Sequence, residues 1–330
     1  MRITAIAGGV GGARFVRGLL AHLHGSADPD LRDSQVTVIG NTGDDITLFG
    51  LRVCPDLDTV MYTLGGGIDD SQGWGRQDET HVVQGELAAY GAQPQWFGLG
   101  DRDFATHIAR SQLLDLGVPL SQVTEVLCAR WGLPERGVRL LPMSDQSVET
   151  HVVVDDEQGR RAIHFQEWWV RHQAALPAEQ IVAVGVERAV AGPGVLDAIR
   201  DADVVLLPPS NPVVSIGIVL SVPGVRDAVR GTRAPVVGVS PLIAGRPVRG
   251  HADACLAAIG VETSALAVAG LYEDFLDGWL VDDADAQASW PARLAVRSRP
   301  LLMTDVDAAA AIAGAALDLA LELQGDRART

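Results

Sequence analysis

No lysine occurs in the 330 residues of this chain; all 26 basic residues are arginine. That excludes a Walker-type phosphate loop, a pyridoxal Schiff base and any lysine general base. A cation placed on a phosphate here must therefore be a guanidinium, which binds as a planar fork. Cysteine is also scarce. Cys54, Cys128 and Cys255 are odd in number, far apart and without metal-ligand spacing, so they read as reduced, mostly buried thiols of a cytoplasmic protein. Positive charge is in deficit overall, with a formal net charge of −16. Such a surface repels a nucleic-acid backbone or an anionic membrane, but leaves room for a single nucleotide in a local basic pocket. Long apolar runs are missing too: the alanine-rich stretch 308–323 is broken by Asp318 and Glu322 and predicts a terminal helix, not a membrane span.

Glycine, by contrast, is abundant at the first turn of the chain. The run Ile3-Thr4-Ala5-Ile6-Ala7 leads into Gly8-Gly9-Val10-Gly11-Gly12-Ala13-Arg14 and then the apolar-periodic Phe15, Val16, Leu19 and Leu20. That order predicts strand, glycine turn and helix N-terminus, where free backbone N–H groups and the helix dipole collect a phosphate. Gly9 and Gly11 satisfy the first two positions of the dinucleotide fingerprint, but Arg14 stands at the third. The same glycines also suit a close strand-to-helix turn with no ligand.

Further β-branched runs at 35–40, 203–207 and 235–240 alternate with helical stretches. Their continuous apolar character predicts strands buried on both faces, hence an α/β, Rossmann-like, mostly parallel sheet with helices on either side. Each run ends in small or polar residues: Asn41-Thr42-Gly43-Asp44-Asp45, Pro208-Pro209-Ser210-Asn211-Pro212 and Ser240-Pro241-Leu242-Ile243-Ala244-Gly245. Ligands of such sheets bind at that carboxyl edge, so these loops and the glycine loop are expected to share one cleft. With no linker and no internal repeat, the chain reads as a single catalytic domain, 1–330. A more helical α+β region, 70–175, is expected to be inserted over the cleft and to include a hairpin around the turn 155–159.

Asp44 and Asp45 follow the second strand, and Asp56 and Asp58 follow a dozen residues later. Four carboxylates near one edge exceed what a ribose needs and suit Mg²⁺, which takes one or two carboxylates, water and phosphate oxygens. Asp45 and Asp58 are the favoured metal and catalytic pair; helix N-capping is the competing role for either. Asp101 or Asp103 would cap the helix predicted from residue 101, and His107 reads as structural. Trp74, Trp168 and Trp169 offer flat faces for a heterocycle or simply pack.

Taken together, Gly8-Gly9-Val10-Gly11-Gly12-Ala13-Arg14, Asn41-Thr42-Gly43-Asp44-Asp45, Pro55-Asp56-Leu57-Asp58-Thr59-Val60, Gly100-Asp101-Arg102-Asp103-Phe104-Ala105-Thr106-His107, Leu141-Pro142-Met143-Ser144-Asp145, His164-Phe165-Gln166-Glu167-Trp168-Trp169 and Pro209-Ser210-Asn211-Pro212-Val213-Val214-Ser215-Ile216-Gly217 resemble the 2-phospho-L-lactate transferase family of coenzyme F-420 biosynthesis. The resemblance runs in order from residue 1 to about Asp277. It implies a Mg²⁺-dependent transfer from a guanosine diphosphate ester to the hydroxyl of the deazaflavin Fo, releasing guanosine monophosphate. The group moved is phospholactyl or phosphoenolpyruvyl. The lysine-free, Ala/Gly/Val-rich composition suggests a GC-rich bacterial gene of actinobacterial type, for which the resemblance implies the enolpyruvyl donor and (dehydro) coenzyme F-420-0. A homodimer is what the family suggests.

In that reaction Gly9, Gly11 and Gly12 would let backbone approach the phosphates, with Arg14 as counter-charge. Asp45 and Asp58 would hold the metal, and Thr42, Ser210 and Asn211 would bind the nucleotide. Trp74 and Asp101 would face the deazaflavin. Asp58→Asn, being nearly isosteric, is expected to keep the fold and cut transfer at least tenfold, about 1.4 kcal/mol of barrier. Two other readings compete: a non-catalytic sugar-nucleotide-binding regulator of the same fold, and an NAD-dependent dehydrogenase.

Overall fold

The computed structural model describes residues 1–157 and 159–329. Seven strands form its central sheet: β1 (Arg2–Ala7), β2 (Gln35–Gly40), β3 (Val138–Pro142), β4 (Val204–Leu207), β5 (Val236–Val239), β6 (Gly278–Val281) and β7 (Ala295–Ser298). Every neighbouring pair is parallel, in the order β7-β6-β5-β4-β1-β2-β3. The order reverses at β1, which pairs with β2 on one side and β4 on the other. That is the topological switch point at which open α/β sheets form their ligand crevice.

Side chains along these strands alternate between two cores. Ile3, Ala5, Ala7, Val204 and Leu206 face a layer containing α1 (Gly9–His24), α2 (Pro55–Gly65) and the terminal helix α4 (Val306–Arg329). Ile6, Val205 and Leu207 face the helices that begin at Val195 and Val225. Both faces are thus covered, as continuous apolar strands require. Against α1, the backbone of Gly18 lies so close to Ala309 of α4 that a Cβ at Gly18 would fall 2.7 Å from the Ala309 methyl group. Small residues here let the two helices touch. No single helix among the described residues is long and apolar enough to cross a membrane.

The four strands predicted from apolar runs, the hairpin and the terminal helix are all present. The region expected as one insertion is divided. Residues 70–130 carry three helices, including α3 (Asp101–Asp115). The chain then returns to the main sheet as β3, so the segment 70–175 is not one continuous insertion. β3 escapes a sequence reading because it lies at the sheet edge, with Arg139 exposed and only five residues long. After it come the antiparallel strands Glu149–Asp156, Gly159–His164 and Ala178–Val184, which extend beyond residue 175. Cys54, Cys128 and Cys255 are buried and unpaired, as expected.

Candidate active site

The glycine loop, the loops after β2, β4 and β5, and the segment 165–170 enclose a cleft of about 450 Å³ at the carboxyl edge of the sheet. Gly9, with φ +62°, makes the turn from β1 into α1. A side chain at Gly8 would overlap the Asp56 carboxylate, and one at Gly11 would overlap the Pro209 carbonyl. Only glycine at these positions lets the loop pass this near α2 and the β4 loop. Ser210 locks the arrangement. Its hydroxyl donates to the Gly8 carbonyl at 2.8 Å and accepts from the Gly8 N–H at 3.2 Å.

Two carboxylates line the cleft beside this loop, Asp44 and Asp56. Asp56 lies in the first turn of α2 and accepts from the Asn41 side-chain amide at 3.0 Å. Asn41 also donates to the Val214 carbonyl and, through its oxygen, accepts from Gly43 N–H at 2.9 Å. The Asp44 backbone is held from the other side by the Gln166 amide, at 3.3 Å, and the neighbouring Asp45 carbonyl by His164 Nε2 at 3.2 Å. Burial raises the Asp44 carboxyl well above the usual aspartate range, and the Asp56 charge raises it further. Burial likewise lifts Asp56 to about 6, against the pull of its bonds from Asn41 and the Gly9 N–H. A cation bound between the two carboxyl groups would favour their ionised forms and offset their mutual repulsion.

The donor set fits a hard divalent ion. Asp44 Oδ1 is buried without a hydrogen-bond partner, and the ligating atoms on offer are all oxygens. No cluster of three or more His, Cys, Asp or Glu side chains stands ready to cage a metal among the described residues. Two carboxylates completed by water and phosphate oxygens is a normal Mg²⁺ environment, so a resident protein cage is not required.

The favoured pair of the sequence reading, Asp45 and Asp58, does not line this cleft; Asp44 and Asp56 do. Asp58 is engaged by buried Arg110, which donates from Nη1 to Oδ2 at 3.1 Å and from Nη2 to Oδ1. His107 lies 3.7 Å from the same carboxylate and 3.4 Å from Asp103, which in turn accepts from the Tyr62 hydroxyl at 2.7 Å. Asp45 is fully buried 3.5 Å from Arg52, its carboxyl lifted to about 7 by burial against the arginine's opposing pull. Asp56 and Asp58 are two residues apart on one helix, about 200° around its axis. One faces the cleft and the other the arginine cluster.

The remaining expected residues divide in the same way. Gly9, Gly11, Arg14, Trp74, Ser210 and Asn211 all line the cleft, whereas Gly12 packs behind the loop against Ala7 and Ser210. Asn211 caps the helical turn that follows it, accepting from Val213 N–H at 2.9 Å and Val214 N–H at 3.1 Å. Thr42 is buried beneath its loop and lies outside the cleft lining. Asp101 is also outside. It caps the neighbouring helix Val82–Ala89 by accepting from Val82 N–H at 3.1 Å and Val83 N–H at 2.9 Å, so its carboxylate is committed to structure. Trp169 walls the cleft, while Trp168 is buried and donates to the Leu176 carbonyl. Gln166 and Arg249 also line the cleft, and buried Asn41 stands behind it on Asp56; the sequence reading assigns none of the three a role. Asn41 and Gln166 carry a signal in the sequence, since each stands inside a motif singled out there; Arg249 carries none.

Residues 3–315 match the profile described as 2-phospho-L-lactate transferase CofD. The chain belongs to this family. It is 66% identical over 325 residues to a phosphoenolpyruvate transferase of Thermobifida fusca, covering 98% of this chain and 99% of that one. A phosphoenolpyruvate transferase of Kitasatospora aureofaciens is 62% identical over 328 residues, covering 98% and 99%. Among solved structures, protein BH3568 of Bacillus halodurans shares the fold at a TM-score of 0.60 and 16% identity, covering 96% of this chain and 99% of that chain. This member is accordingly a transferase of coenzyme F-420 biosynthesis, and the cleft is where its chemistry is to be sought.

Proposed function

We propose that the protein transfers a phosphoenolpyruvyl group from a guanosine diphosphate ester to the hydroxyl of the deazaflavin Fo, releasing guanosine monophosphate and giving dehydro coenzyme F-420-0. The observation that carries this reading is the meeting of a helix N-terminus, a buried carboxylate pair and an aromatic wall in one cleft. In the reaction the acceptor hydroxyl bonds to the phosphorus that bears the three-carbon acid, and the bond from that phosphorus to the bridging oxygen breaks. Charge grows on the bridging and equatorial oxygens, so positioning and electrostatics provide most of the rate.

The N–H groups at the start of α1 are set to receive phosphate oxygens, aided by the helix dipole. Asp44 and Asp56 would hold Mg²⁺, with Asn41 and Gln166 fixing their loop and side chains. Bound there, the ion would neutralise charge on the diphosphate as a Lewis acid. Trp74, Trp169 and Phe165 give the cleft flat apolar faces that suit a fused heterocycle and exclude water from it. Ser210 keeps the glycine loop at its working distance from the β4 loop.

Thermal shift against guanosine diphosphate, NAD and a uridine-diphospho sugar, each with and without Mg²⁺, tests the reading, because a ligand of the native state raises its melting point. Stabilisation by the guanosine nucleotide, larger with Mg²⁺, is the expected result. Selective stabilisation by NAD or by the uridine nucleotide would overturn it.

A further inference from the structure

Arg14 and Arg249 enter the cleft from different elements, α1 and the segment after β5, and converge on one spot. Gly73, with φ +78°, marks it: a Cβ there would lie 3.0 Å from Arg249 Nη1, 3.5 Å from Arg14 Nη2 and 2.7 Å from Val10 Cγ1. Each guanidinium is steadied by a backbone carbonyl of the same loop, Arg14 by Asp70 at 2.9 Å and Arg249 by Gln72. Asp70, whose carbonyl holds Arg14, has its carboxylate engaged elsewhere, accepting from Arg17 at 2.7 Å. Among the described residues neither Arg14 nor Arg249 has a carboxylate within ion-pair distance, although the chain carries an excess of acids. Two like charges oriented together without a counter-ion are costly unless an anion joins them.

Resting on the function proposed above, we infer that Arg14 and Arg249 form a clamp for the carboxylate of the donor's three-carbon acid. The donor has two anionic parts, and the glycine loop with Asp44 and Asp56 is suited to the diphosphate. In an enolpyruvyl ester the carboxylate sits on the very carbon that carries the ester oxygen, so it must lie immediately beside the phosphate cradle. Val10, between Gly9 and Gly11, puts the arginine pair there. Guanidinium forks match carboxylate geometry in a bidentate manner, which makes the contact selective as well as attractive. Partial burial, with the like charge of Arg14 as the lesser cause, lowers the Arg249 guanidinium below its ordinary value, and a bound anion would offset the repulsion.

The test compares two donors in the absence of Fo, with Mg²⁺ present: the enolpyruvyl ester of guanosine diphosphate and its β-ethyl ester, which keeps the diphosphate ester but has no carboxylate. The wild-type protein should bind the enolpyruvyl ester at least tenfold more tightly by calorimetry. Arg249→Gln, an exposed position whose replacement leaves the core intact, should erase that difference while changing affinity for the ethyl ester less than twofold. Equal weakening toward both donors would overturn the clamp by making Arg249 a phosphate contact, and an unchanged preference would overturn it outright. Failure of the wild-type protein to bind either ester would instead remove the proposed function itself, and the clamp with it.

Discussion

Arg110 and Asp58 meet fork to fork in the interior, both side chains buried, 52 residues apart in the chain. A carboxylate held this way neutralises a guanidinium that, among the described residues, no other acid engages at hydrogen-bonding distance. The expectation that Asp58→Asn would spare the fold is therefore reversed. Removing one partner of a buried pair strands the other charge, at a cost of about 3–5 kcal/mol. Urea unfolding should show a large fall in midpoint for Asp58→Asn with little change in slope. Adding Arg110→Met should recover part of the loss; a single variant as stable as wild type would refute the structural role.

Asp44 and Asp56 predict the opposite pattern. Substituting either by Asn removes a buried like charge and should leave the ligand-free protein at least as stable as the parent. Turnover should fall at least a hundredfold, about 2.7 kcal/mol of barrier. Chelation of Mg²⁺ should abolish turnover of the parent protein equally, with the fold intact by circular dichroism. Because two carboxylates bind Mg²⁺ weakly without phosphate, the ion alone should shift the melting point less than the ion with guanosine diphosphate. Retained activity in Asp56→Asn would contradict the assignment.

Gly11 gives a steric prediction. A methyl group there meets the Pro209 carbonyl, so Gly11→Ala must push the glycine loop away from the β4 loop. Overpacking of this kind costs roughly 1–3 kcal/mol. Donor affinity should drop together with stability, measured by calorimetry and urea unfolding on the same preparation. Normal donor affinity in this variant would show that loop spacing does not matter for binding.

The contrast between these positions shows what could be read from the chain. β1, β2, β4 and β5 were legible because their apolar runs are continuous and end in turn-forming residues, and a shared cleft at their carboxyl edge followed from those loops; the strand order did not. Which member of each adjacent carboxylate pair reached the cleft was not legible. That depends on the helical rotation between Asp56 and Asp58, and on Arg110, a partner supplied by a distant helix. Arg249 was equally hidden, since its segment carries no phosphate-binding pattern and becomes part of the site only when Gly73 leaves room for it.

Asp101 gives a pH-dependent prediction. Its bonds from the Thr80 hydroxyl and the Val82 and Val83 N–H groups hold its carboxyl below the usual aspartate range. A carboxylate whose folded pKa is depressed adds stability that is present above the unfolded value and is lost as pH falls through the folded one. Hydrogen-exchange protection at the Val82 and Val83 amides should accordingly hold at neutral pH and decline in acid. In Asp101→Ala that protection should be low at every pH, with Fo turnover little changed because the side chain lies outside the cleft. Undiminished protection in the variant would remove the cap from the account.

The central claim is the reaction itself. Purified protein incubated with Fo, Mg²⁺ and either the enolpyruvyl or the phospholactyl ester of guanosine diphosphate, with products read by mass, tests it directly. The account predicts guanosine monophosphate and the dehydro form of coenzyme F-420-0 from the enolpyruvyl donor. Release of guanosine monophosphate without a modified deazaflavin, or turnover of the phospholactyl donor alone, would contradict it.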